Sequence, residues 1–284
     1  MAKIVAVHGI NQQYRGSHTI FSEWYPALRD GLERADFVLD SKAEFKCAFY
    51  GDIFRGGNRS KGSIPDYDAD DVESGWEEEF LLDLGQEVIA LEKTTNESDT
   101  KKKKGVIIGV QKALNAVSGS PFFGDVAEKV VINFLKQVKT YLHKQEIREK
   151  IKDRVLASIT DDTKVLIGHS LGSVVCYEVL CQNPHLPIKV YISLGSPLGI
   201  KRIVFDRLVP SPQNGIGSKP EGIGKWVNVA DAKDIVALEK KLDPFFEGLI
   251  EDKLIDNGAN AHNADRYLTA VETGQAIKLG LEGE

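Results

Sequence analysis

The chain has 284 residues, 42% of them hydrophobic and 27% charged. Such a balance can build a sizeable core and excludes disordered, collagen-like and disulfide-framework proteins. The net charge of −6 argues against a nucleic-acid partner. It also hides a split: residues 66 to 99 carry thirteen acids and one lysine, so the rest of the chain is net basic.

Cys47, Cys176 and Cys181 are odd in number and lack CxxC spacing, which fits reduced thiols. The opening Met-Ala-Lys-Ile-Val-Ala-Val-His-Gly reads as a strand rather than a signal peptide. No apolar run reaches the roughly 20 residues a bilayer-spanning helix needs. Together these predict a cytoplasmic protein.

The elements follow in chain order. Residues 3 to 7 form an apolar run closed by His8-Gly9, as expected of a strand buried on both faces. Trp24, Leu28 and Leu32 predict a helix over 24–35. Residues 45 to 50 predict a second strand. From about 55 to 124 the pattern dissolves into Gly, Ser, Asp and Lys. This stretch reads as an insertion, a possible cap or lid, within one domain spanning 1–284. Apolar three-four spacing over 125–158 predicts helix, with a break near 143–146. Further strands are expected at 164–167, 188–194 and 225–229, a helix at 170–181, and helix again from Ala264. Alternating strands and helices imply an α/β fold with a parallel sheet covered on both faces.

The most informative segment is Thr163-Lys-Val-Leu-Ile-Gly168-His-Ser170-Leu-Gly172-Ser. It sets G-x-S-x-G between an apolar strand and an amphipathic helix, the context in which that motif signals a nucleophile elbow. A serine there is lifted onto a strained turn. Side chains at Gly168 or Gly172 would strike neighbouring backbone. The Leu171 amide falls at a helix N-terminus, where the dipole favours a developing oxyanion. The bland alternative is a serine that merely caps the helix. A nucleophilic serine needs a base. Only His185 and His262 follow it in sequence, and His185 falls in a turn at the opposite end of the sheet. Asp231 and Asp234 leave the carboxyl end of a strand, where catalytic groups gather in open α/β sheets. Asp206 is a more distant choice.

With His8-Gly9-Ile10 after the first strand, these segments make the chain resemble the α/β-hydrolase superfamily. The nearest likeness is to compact lipase- and esterase-like members, including the GPI-inositol-deacylase-like group. The resemblance covers most of the chain outside the 55–124 insertion. It implies a mostly parallel sheet of about six strands, without the antiparallel hairpin that often precedes the His-Gly strand. It implies that the Ile10 amide pairs with that of Leu171 as an oxyanion hole. It makes His262, in a polar loop before the last helix, the base. Asn228-x-x-Asp231-x-x-Asp234-x-Val236 looks like the family pattern whose second Asp orients the histidine, with Ile235 where a proline is usual. Ser170, Asp234 and His262 are then the triad, and Asp231 a cap or supporting group. His169, beside the serine, is a further candidate. So is Ser196 in Gly195-Ser-Pro-Leu-Gly, which resembles the loop beside the acyl pocket.

The expected activity is cleavage of carboxylic esters through an acyl-enzyme, with no cofactor and no metal. The substrate would be a small-molecule or lipid ester. Phospholipase or thioesterase action at a membrane is the near variant, and a hydrolase-like binding or signalling module without turnover is the competing class. Asp66-Tyr-Asp68-Ala-Asp70-Asp71 resembles the start of an EF-hand loop, but Asp71 replaces the required glycine. A solvated acidic loop is the better reading. Lys101 to Lys104, followed by Val106, Val110, Ala113, Leu114 and Val117, could touch anionic lipid. A solvated charge run ahead of a helix packed on the body is the preferred reading.

Overall fold

The computed structural model describes residues 2–55, 63–96, 109–120 and 126–283. Strand β1 (Ile4–Val7) is followed by α1 (Ser17–Arg34) and β2 (Phe45–Ala48). Next come α2 (Trp76–Asn96), α3 (Val110–Ser118), α4 (Glu128–His143) and α5 (Gln145–Leu156). The remainder is β3 (Val165–His169), α6 (Leu171–Gln182), β4 (Val190–Leu194), β5 (Lys225–Asp231), β6 (Ile250–Ile255), α7 (Ala264–Thr269) and α8 (Val271–Glu282).

All five strand pairings are parallel, and the sheet order is β2-β1-β3-β4-β5-β6. Successive strand side chains face opposite sides, and the sheet divides accordingly. Ile4, Ala6, Val165, Ile167, Val190 and Ile192 pack against α1, α7 and α8. Val5, Val7, Leu166, Tyr191 and Trp226 join the larger core under α2 to α6. Continuous apolar strands such as Ile4-Val-Ala-Val are what burial on both faces requires. The chain winds outward in both directions from the β1–β3 pair. The carboxyl ends of these two strands therefore open a crevice at the switch point, the usual ligand position in such sheets.

The expected break between the two long helices occurs at Lys144, which takes φ −108°, ψ 95°. The last helix is also broken, at Ala270 (φ −65°, ψ 139°). Helix α1 starts at Ser17, earlier than the Trp24 spacing suggests. Strand β6 was not foreseen. Its Ile-Glu-Asp-Lys-Leu-Ile holds three charges because it is a sheet edge, with solvent on one side.

The described residues between 63 and 120 contain helices and no strand, in keeping with an insertion outside the sheet. Its acidic start is exposed to solvent, as expected, and also pairs with lysines of α4. Asp66 pairs with Lys129 at 2.8 Å, and Glu73 with Lys139 at 2.6 Å. Glu77, only 1% exposed, lies 3.3 Å from Lys136 and 3.4 Å from Lys139. The Asp68 side chain caps the short turn Ala69–Asp71. Lys101 to Lys104 and Val106 lie outside the described residues. No described helix is long and apolar enough to cross a membrane.

Candidate active site

Strand β3 delivers Ser170 into the crevice. The serine sits at φ 54°, ψ −129°, a backbone state that L-residues rarely adopt. The surroundings hold it there. Its N–H donates to the Leu194 carbonyl at 2.9 Å, and its own carbonyl accepts the Ser173 hydroxyl at 2.6 Å. A Cβ at Gly168 would lie 2.5 Å from Ser173 Cα, and one at Gly172 would run into the Val7 carbonyl. The elbow thus needs both glycines, as its sequence suggested.

Ser196 acts beneath this turn. The single Ser173 proton is committed to the Ser170 carbonyl, so Ser196 Oγ donates to Ser173 Oγ at 2.7 Å. It also accepts the Leu198 N–H at 3.2 Å. Ser196 braces the elbow and stands outside the lining of the pocket above.

Leu171 opens α6, so its N–H is one of the amides a helix start leaves without an intrahelical partner. The loop after β1 runs against the serine: a Cβ on Gly9 would lie 2.8 Å from Ser170 Cβ. Ile10 follows and lines the pocket. The next amide, Asn11 N–H, is taken by Gln137 Oε1 at 2.9 Å. Asn133 Nδ2 donates to Asn11 Oδ1 at 2.5 Å, and Gln137 Nε2 to Gln13 Oε1 at 3.0 Å. Helix α4 therefore grips the loop through side-chain amides. His8 holds its other side. Nδ1–H donates to the Gly9 carbonyl at 2.6 Å, and Nε2 accepts the Tyr50 N–H at 3.1 Å. Burial pushes the His8 pKa down to about 4.

His262 Nδ1 donates to Asp234 Oδ2 at 2.8 Å. The same oxygen accepts the Tyr267 hydroxyl at 2.7 Å, and Oδ1 accepts the Val236 N–H at 2.9 Å. Burial alone would raise the Asp234 pKa. The His262 interaction, the Tyr267 hydroxyl and the nearby Lys240 charge outweigh it, and the carboxyl is held well below the usual range.

The Asp231 carboxylate accepts backbone N–H groups. Its Oδ1 accepts the Lys233 N–H at 2.6 Å and Oδ2 accepts the Asn257 N–H. The Asn257 side chain in turn donates to the Ala261 carbonyl at 3.1 Å. Asp231 thus clamps the loop that carries His262, while burial raises its pKa. Its backbone N–H also donates to Tyr267 Oη at 2.9 Å, which turns that hydroxyl's proton toward Asp234.

His169 lies beneath His262, with ring centroids 4.8 Å apart. Burial pushes its pKa down to about 3, so it is neutral. Its Nε2 faces the His262 carbonyl at 2.9 Å and must therefore carry the proton. His185 is exposed on the turn after α6, and Asp206 accepts the Arg202 N–H in a separate short turn. Neither belongs to this assembly.

Ser170, His169 and His262 line one pocket of about 440 Å³, with Gly9 and Ile10 beside them. Three participants were not singled out from sequence: Tyr267, Ser173 and Gln137. The first two lie within five residues of His262 and Ser170, which is their only local signal. Gly195 figures in the sequence only within the loop that resembles the one beside the acyl pocket. It takes φ 53°, and a Cβ there would lie 2.7 Å from Asp234 Oδ2. Among the described residues no group of His, Cys, Asp and Glu is placed to hold a metal ion.

The fold and this site define an α/β protein whose six-stranded parallel sheet brings a serine, a histidine and a buried carboxylate to its switch point. No protein-family model matches the chain, and no curated protein matches it.

Proposed function

We propose that the chain is a serine hydrolase of the α/β-hydrolase type, cleaving carboxylic esters through an acyl-enzyme on Ser170. The observation that carries this reading is the pairing of two features in one pocket. One is a serine in a strained positive-φ turn. The other is a histidine whose Nδ1–H is fixed on a buried, ionised carboxylate. A helix cap needs no such strain, and a loop histidine needs no such partner. The all-parallel six-stranded sheet supports the hydrolase assignment of the fold, as a version without the antiparallel hairpin.

The mechanism follows from the atoms. Nδ1–H donation to Asp234 leaves the lone pair on His262 Nε2, so that nitrogen accepts the Ser170 proton. Ser170 Oγ attacks the acyl carbon, and the Leu171 and Ile10 amides stabilise the oxyanion. The imidazolium passes its proton to the departing alkoxide. Water then attacks the acyl-enzyme, giving its proton to His262, and Ser170 leaves with a proton returned from it. Asp234 stays ionised throughout and stabilises the cation. Asp231, Tyr267 and His169 hold the histidine and its acid in place.

A fluorophosphonate probe should label the wild-type chain and leave Ser170→Ala unlabelled. A folded wild type that resists the probe would overturn the proposal.

A further inference from the structure

An apolar part of the pocket lining comes from α4 and the residue stretch just before it. Val130 and Phe134 lie four residues apart on α4, Val126 just precedes the helix, and all three line the pocket. Positions four apart share a helix face, so Val130 and Phe134 form an apolar strip, with Val126 ahead of it. Ile10 and Trp24 extend it. Phe134 is 3% exposed and rests on Phe80, their ring centroids 5.7 Å apart, so the strip is backed by core. Apart from Gly9 and Ala264 the rest of the lining is polar, with Asn11, Gln12, Arg15, Glu23, Asn260 and Asp265 among it. Arg15 is paired with Glu23, so its charge is already met.

Resting on the hydrolase reading above, we infer that the α4 strip is the acyl site and that the substrate is a small ester with a short acyl chain, rather than a long-chain or bilayer lipid. Two observations carry this. The first is size. A pocket of about 440 Å³ falls toward the small end of the roughly 300–1,000 Å³ that ligand sites span. A diacyl lipid is several times larger. The second is polarity. A long chain that outran the strip would lie against amides and carboxylates, which it would desolvate without hydrogen-bonding. A chain of a few carbons finds apolar partners for its whole length, and the alcohol part can use the polar side.

The strip also sits on the helix that holds the oxyanion loop. Val130 lines the pocket with its side chain, and its carbonyl faces Asn11 Nδ2 at 3.5 Å. An acyl chain seated on α4 therefore presses on the element that fixes Asn11 and its neighbour Ile10.

The test is a series of p-nitrophenyl esters from acetate to palmitate, with phosphatidylcholine vesicles as the lipid arm. Wild type, Val130→Trp and Val130→Ala are compared by kcat/KM. Wild type should favour the shortest members, drop steeply beyond about six carbons, and leave the vesicles intact. Val130→Trp should lower turnover of hexanoate at least about tenfold more than that of acetate. Val130→Ala should move the optimum to longer chains. A wild-type optimum at octanoate or beyond, hydrolysis of the vesicles, or losses equal for every ester would overturn the acyl assignment alone. Absence of all turnover together with absence of fluorophosphonate labelling would bring down the hydrolase reading beneath it.

Discussion

Tyr267 governs how Asp234 can be used. Its hydroxyl accepts the Asp231 N–H and donates to the carboxylate oxygen that also receives His262. A hydrogen bond to a buried charge contributes about 1.5–3 kcal/mol. Tyr267→Phe keeps the ring and removes that donor. The carboxylate is then free to turn, and the imidazole loses part of its fixed orientation. We expect kcat on a short ester to fall about tenfold with KM nearly unchanged, because the bond acts on the histidine and not on the substrate. Steady-state kinetics on the purified variant decides it; a wild-type kcat would remove Tyr267 from the machinery. The residue scale also shows where sequence stops informing. The elbow was legible because strand, turn and helix are contiguous and the two glycines obey a local steric rule. Asp231 ends β5 and Asp234 lies just beyond it, so position alone does not decide between them, and the choice of Asp234 comes from the resemblance. Only the distant chain separates them: Asp231 meets the backbone of Asn257, and Asp234 meets the His262 side chain.

At the scale of elements, α4 does three things with three faces. Its apolar strip faces the pocket, its amides Asn133 and Gln137 hold the loop after β1, and Lys129, Lys136 and Lys139 receive the acidic insertion. The periodic spacing announced the helix but not this division, which depends on where the insertion folds back. Strand β6 escaped for a related reason. An edge strand is half-solvated, so three charges interrupt the apolar run that marks the inner strands. The first turns of α1 bury only Ile20 before Trp24, too little periodicity to announce a start at Ser17. The lysine face carries a test independent of catalysis. Glu77 is buried between Lys136 and Lys139, so removing both cations leaves its charge uncompensated. Buried pairs broken from one side typically lose 3–5 kcal/mol, and these lysines are partly exposed. Lys136→Ala/Lys139→Ala should therefore lose about 2 kcal/mol in urea unfolding. Adding Glu77→Gln should recover part of it. No change in the midpoint would mean that the insertion is not held by these charges.

At the scale of the whole molecule, the crevice is built on two neutral histidines. His8 supports the loop after β1, and His169 supports the loop of His262, one on each side of Ser170. Burial depresses both, to about 4 and about 3. In the unfolded chain each would titrate near 6.5. Above that value both states are neutral, and the stability is fully present. As pH falls below it, the unfolded chain takes up protons that the native structure refuses. Each histidine then costs about 1.4 kcal/mol of stability per pH unit. The loss from His8 levels off near pH 4, where its native form protonates, and that from His169 near pH 3. Carboxylates such as Asp234, whose native pKa is also depressed, add their loss only at the lower end of this range. Between pH 6 and 4.5 the slope of unfolding free energy should therefore correspond to an uptake contribution of nearly two protons from this pair. His169→Asn should remove about one of them. Imidazole resonances give an independent reading, since the rings of His8 and His169 should hold constant shifts from pH 7 down to about 5. Titration of either ring near 6.5 in the folded protein would mean that the crevice admits the charge. The two loops that frame Ser170 would then be held by something other than these neutral rings.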